Sequence, residues 1–197
     1  RCVQEIAWQE DYVTAYVELS QDECPLDRPD RVYGAVARAM QARPENITDV
    51  DRSKGLDSVL AQLVDRKFPG VLTGLPDDTR KAQAQEWIVD LKNTPVESTA
   101  FVAAATKYLL ALLNGDEETA RIARMYLRGE SLPAAELKQI EVYEKLDKSS
   151  GFRLLRSVAQ FIQRSNLATG VVLLFDEARR TLSLMSTKAQ KVACENL

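Results

Sequence analysis

The 197-residue chain has no histidine and only three cysteines, Cys2, Cys24 and Cys194, set far apart and without a C-x-x-C pair. Without an imidazole neither a Ser-His-Asp nor a Cys-His relay can be assembled, and the usual zinc sites lose their ligands. An odd, scattered set of thiols is no disulfide framework either, which fits a reducing, cytoplasmic setting. No apolar run approaches the roughly 20 residues that cross a bilayer, and no secretory leader is visible, so a membrane is not an expected partner. A strong excess of one charge is also missing. The net charge of −3 argues against a wholesale binder of nucleic acid or anionic lipid, although the segment from residue 147 onward is net basic.

What is present is enough apolar sequence, 45% of residues against 28% charged, to bury one substantial core. Residues 1–10, RCVQEIAWQE, carry Val3, Ile6 and Ala7 at helical spacing. The chain thus opens inside one amphipathic segment and closes in another, and the expectation is a piece of a longer protein. The run YVTAYVELS, residues 12–20, alternates well enough for a strand with Val13, Ala15, Val17 and Leu19 on one face. A polar loop follows, then a helix from Pro29, a residue suited to the first helical position, with Val32, Val36 and Met40 on its buried side.

From 43 to 169 the pattern is almost wholly helical. Leu56, Val59, Leu60, Leu63 and Val64 form one stripe, FPGVLTGLPDD is a loop ended by a capping Asp77 or Asp78, and Trp87, Ile88 and Leu91 give the next helix its core side. FVAAATKYLLALL is the most apolar helix and stops at Asn114-Gly115. DEETARIARMYLRG starts acidic and ends on Arg128-Gly129, which suits the helix dipole at both ends. A last helix, at about 149–164, buries Leu154, Leu155, Val158, Phe161 and Ile162. No fixed repeat period links these helices, so a solenoid is not expected.

The pattern changes at GVVLLFDEA, residues 170–178. Five apolar residues without helical period read as a strand buried on both faces, as in a parallel sheet covered by helices, with a short buried helix as the competing reading. Two strands separated by a long helical connection give an α/β core, residues 1–42 and 170–197, carrying a large, mainly helical insertion, residues 43–169. A parallel strand delivers its last residue to the carboxyl edge of the sheet, where open α/β folds bind ligands. In P-loop nucleotide hydrolases such a run ending in Asp is the Walker B element, whose carboxylate holds the magnesium on the nucleotide phosphates; a Glu directly after it polarises the attacking water. Asp176 is the candidate for the metal-holding role and Glu177 for the catalytic one. Successive side chains on an extended backbone point in different directions, so the two can serve different ligands. The plainer alternative is a buried strand whose first exposed turn is acidic, with Asp176 capping a helix from Ala178. A looser one is the DEAx element of helicases, which DEAR matches only in part.

The other half of such a site is missing. None of the eight glycines opens a G-x-x-x-x-G-K-[ST] loop, so no phosphate-binding residue is assigned, and the expectation is a P-loop just upstream of Arg1. Three stretches, YVELSQDECPLDRPDRVYGAVARAM (16–40), YLRGESLPAAELKQI (126–140) and GVVLLFDEARRTLSL (170–184), resemble the ATP-binding P-loop proteins of BREX phage-defence systems, of the BrxD type. The resemblance spans most of the chain, and ECPLDRP (23–29) is its most specific piece. It implies a partial P-loop NTPase sheet of the additional-strand, AAA-like class, and a parent protein that binds ATP and Mg2+ and hydrolyses ATP. The chain alone is expected not to turn ATP over. The partners so implied are nucleotide and other defence-system proteins, with oligomers left open. An alternative of another class is a non-catalytic module whose helices bind protein or DNA.

Further candidates each carry a plainer alternative. The ECPLDRP loop follows the strand at 12–19 and so belongs to the same sheet edge. There Asp27 or Arg28 could contact magnesium, phosphate or a neighbouring subunit, against a rigid helix start with Cys24 buried and Asp27 capping. Arg179 and Arg180 are candidates for phosphate-sensing or intersubunit arginines, against a solvated surface. Lys148, Arg153, Arg156, Arg164, Lys188 and Lys191 are candidates for a DNA track, against an ordinary charged face. Tyr108, Tyr126 and Tyr143 are expected at core edges, and Trp8 and Trp87 as packing residues.

Overall fold

The computed structural model describes residues 2–20, 24–44, 54–72, 78–176 and 191. Among these it forms an α/β architecture of eight helices and one small mixed sheet of three strands. The opening segment is helix α1, Cys2–Gln9, and a tight turn with Asp11 at φ 57° reverses it into β1, Tyr12–Glu18. Helix α2, Pro29–Ala39, begins on Pro29 and buries Val32 and Val36. Met40 does not continue that helix. It leaves it at φ −62°, ψ 140° and starts β2, Met40–Gln41, which pairs antiparallel with Ala15 and Thr14. The four-residue spacing carried past the point where the main chain turns to the sheet, yet Met40 stays buried because the sheet faces the same core.

Helix α3, Leu56–Lys67, buries all five residues of its stripe. Helix α4, Asp78–Asp90, starts at Asp78; Asp77 lies outside the described residues. A single 3-10 turn, Leu91–Asn93, follows. Ile88 and Leu91 are buried, while Trp87 packs at the edge against Phe68, with ring centroids 5.7 Å apart. Helix α5, Thr99–Asn114, is capped by the Ser98 hydroxyl, which accepts the Phe101 N–H at 3.2 Å, and ends on Gly115 in the left-handed region at φ 69°. Helix α6, Glu117–Leu127, is capped by Asp116, whose carboxylate accepts the Thr119 N–H at 3.1 Å. Helix α7, Ala134–Gln139, is too short to leave a periodic signal and was not anticipated. Helix α8, Gly151–Arg164, sends Leu154, Val158, Phe161 and Ile162 into the core and leaves Leu155 half-buried.

Strand β3, Gly170–Asp176, pairs parallel with β1 along its whole length, from Tyr12 opposite Gly170 to Glu18 opposite Asp176. The order is β2-β1-β3. Val13, Ala15, Val17 and Leu19 are buried in the core that also takes Val32, Val36, Phe161 and Ile162, and Val171, Leu173 and Phe175 pack against it. Residues of β3 are half-buried rather than closed off on both faces. The reason is positional: β3 is the outer strand of the described sheet, and Val172 and Leu174 alternate onto the face away from that core. Helix α1 packs on β1, with its buried Ala7 outside the main core cluster.

The C-terminal end of α6 is clamped to α3 and α2. Asp57, 2% exposed, accepts from Arg128 Nε at 2.7 Å and from Arg128 Nη2 at 3.0 Å, and Arg124 Nε lies 3.4 Å from its Oδ2. Beside this ion pair Gly129, at φ 80°, meets Gly34 backbone to backbone: a Cβ on residue 129 would sit 2.6 Å from the Gly34 Cα. The Tyr33 hydroxyl donates to the Leu127 carbonyl at 2.9 Å.

Candidate functional site

The parallel pairing of β1 and β3 brings Asp176 and Glu18 side by side at the carboxyl edge of the sheet. The pairing continues one residue further, with the Leu19 N–H donating to the Asp176 carbonyl at 3.0 Å. Asp176 is exposed, but its side chain is held: the Tyr16 hydroxyl donates to Asp176 Oδ2. Tyr16 itself is 50% exposed. The apolar run therefore ends on a charge at the carboxyl edge of the sheet, where Asp176 is still paired with β1 but its side chain is exposed. Glu177, Arg179 and Arg180 lie outside the described residues.

Beside Glu18 a cleft of about 680 Å³ opens between the end of β1, helix α2 and the segment after α6, lined among others by Cys24, Arg31, Arg38, Gly129 and Ser131. Cys24 and Leu26 of the ECPLDRP loop are buried. Burial pushes the Cys24 thiol up to about 11, with Arg38 pulling weakly the other way. Asp27 does not cap α2, whose N-cap position is Arg28 and has no side-chain cap; Pro29 at the first helical position has already removed one donor. Arg28 turns onto its own helix, with Nε 3.2 Å from Asp30 Oδ1 and Nη2 3.0 Å from Oδ2. Burial alone would raise Asp30, but the hydrogen bonds from Arg28 and from the N–H groups of residues 30 and 31 outweigh it and hold the carboxyl below its ordinary range.

The basic stretch of α8 is largely engaged within the chain. Arg153 pairs with Glu144, Arg156 Nη2 lies 2.9 Å from Glu97, and Arg164 donates to the Pro95 carbonyl. Tyr108 and Tyr126 are buried, whereas Tyr143 is 80% exposed and so is no core-edge residue. Two members of the acidic edge, Tyr16 and Glu18, escaped the sequence reading. Their signal was the matching length of YVTAYVE and GVVLLFD, each closing on an acid, which parallel registry converts into neighbours.

A family described as BREX system ATP-binding protein BrxC/D matches residues 1–197. The chain belongs to that family. No curated protein and no solved structure matches it. As a BrxC/D chain it has nucleotide as a partner by the family's description, and its only described parallel strand pair ends on the acidic edge just built. Among the described residues no helix is long and apolar enough to cross a membrane.

Proposed function

We propose that this BrxC/D chain supplies the Walker B end of an ATP site in a phage-defence complex, with Asp176 on the magnesium side and Glu177 as the catalytic carboxylate. The observation that carries the reading is the position of Asp176: last residue of a strand that runs parallel to its neighbour, exposed, and fixed by a hydrogen bond from Tyr16. The donor chemistry suits the ion. Asp176 and Glu18 stand side by side at the sheet edge, and Mg2+ is commonly held by one or two carboxylates while water and phosphate oxygens complete its shell. Asp176 would hold magnesium, which would supply charge neutralisation for the phosphoryl transfer. Asp176 anchors that shell from the sheet edge, and Glu177 orients the attacking water and takes its proton. No phosphate-cradling residue is assigned to this sequence, which has no G-x-x-x-x-G-K-[ST] loop, and the nucleotide state is coupled to movement of the helical segment of residues 43–169 or of a partner.

The experiment is a binding and turnover measurement on the full-length gene product. Glu177→Gln should keep ATP affinity within about threefold and lower turnover by at least roughly a hundredfold. Unchanged turnover removes Glu177 from the mechanism, and absence of nucleotide binding leaves the helical interaction module as the better account.

A further inference from the structure

Tyr16 stands opposite Leu174 on the neighbouring strand, and Glu18 opposite Asp176. Residues two apart on a strand share a face, so Tyr16 lies diagonally behind Asp176, a separation that a long aromatic side chain can span. Its hydroxyl donates to Asp176 Oδ2, while the Leu19 N–H holds the carbonyl of the same residue at 3.0 Å. Side chain and main chain of Asp176 are thus both fastened to β1. The sheet has little need of the first fastening for its own sake, because the backbone ladder already joins the two strands over seven residues.

We propose that Tyr16 is a positioning residue for the Asp176 carboxylate. Its hydroxyl fixes the orientation of the Asp176 side chain, so that Mg2+ and nucleotide meet a carboxylate already ordered. Ordering an exposed side chain at the moment of binding costs affinity, and a hydroxyl donor that orders it beforehand removes that cost. This inference rests on the reading of Asp176 as the magnesium-side carboxylate.

The test compares the full-length gene product with its Tyr16→Phe variant, measuring affinity for a fluorescent ATP analogue in Mg2+ and in EDTA, with thermal unfolding alongside. Phe keeps the ring and removes only the donor, and the half-exposed position tolerates it. In the natural protein Mg2+ should tighten binding. In the variant that tightening should shrink about tenfold, the low end for a group that orients a metal-binding side chain, while affinity in EDTA and the unfolding temperature stay the same. An equal Mg2+ effect in both proteins overturns the Tyr16 proposal, as does an equal loss in Mg2+ and EDTA or a lower unfolding temperature, either of which marks a structural role. A natural protein without any Mg2+ effect, or an Asp176→Asn variant that keeps the effect whole, overturns the Asp176 reading itself and Tyr16 with it.

Discussion

Replacing Arg128 with Ala removes two hydrogen bonds, of 2.7 and 3.0 Å, from a carboxylate that is almost entirely shielded from water. Asp57 keeps Arg124, but at 3.4 Å, and that arginine is shared with the Tyr108 ring, whose centroid is 6.0 Å away. Breaking one side of a buried ion pair costs about 3–5 kcal/mol because the other charge is left uncompensated. The Arg128 side chain is 33% exposed, so the low end applies, about 3 kcal/mol. For a chain of this length that corresponds to a fall in melting temperature of roughly 6–12 °C. A calorimetric melt of Arg128→Ala, Asp57→Ala and the double variant checks both the size and the mechanism. The double variant should lose clearly less than the sum of the single losses, since no buried charge is then orphaned. A shift below about 2 °C for Arg128→Ala, or strictly additive losses, would refute the assignment of this pair as the clamp between α3 and α6.

Other expectations follow from the packing and the charges. Gly151→Ala places a Cβ 2.2 Å from the Pro29 carbonyl carbon, backbone against side chain at the contact of α8 with α2, and should cost about 2–3 kcal/mol in urea unfolding; wild-type stability would show that the two helix starts are free to part. With Cys2 and Cys194 changed to Ser, Cys24 should react with a thiol reagent at pH 8 at least about a hundredfold more slowly than in urea, because a thiol raised from 9.0 to about 11 carries that much less thiolate; fast labelling of the folded protein contradicts its burial. Glu97 is held below its ordinary range chiefly by the Arg156 hydrogen bond. A depressed carboxyl stabilises the fold above its unfolded pKa and loses that contribution as pH falls through the folded value. Melting temperature should therefore be level down to about pH 4.5 and decline below it, and Glu97→Gln should soften the decline; an unchanged acid limb says that the pair contributes nothing.

Most of the fold was legible where the signal is local. Pro29 marked the start of α2, Gly115 the end of α5, and the stripe from Leu56 to Val64 the buried face of α3, since each depends on residues within a turn or two. The parallel strand at 170–176 was legible from its unbroken apolar run, but its half-buried state was not, because exposure depends on neighbouring strands. Met40 misled for a related reason: burial continued while the helix did not. The clamp between Asp57 and Arg128 joins residues 71 positions apart, and Tyr16 meets Asp176 across 160. No local pattern encodes such pairs. Of the proposed site, Asp176 is singled out by chain chemistry alone, while Tyr16 and Glu18 became visible beside it only once β1 and β3 had a register.

The central claim is that the carboxylate closing β3 belongs to the metal side of a nucleotide site. EPR titration of Mn2+ into the full-length gene product, with and without ATP, addresses it most directly. The account predicts tight Mn2+ binding that requires ATP and weakens about tenfold or more in Asp176→Asn, with nucleotide affinity in EDTA unchanged. Identical Mn2+ affinity in the natural protein and the variant would contradict it.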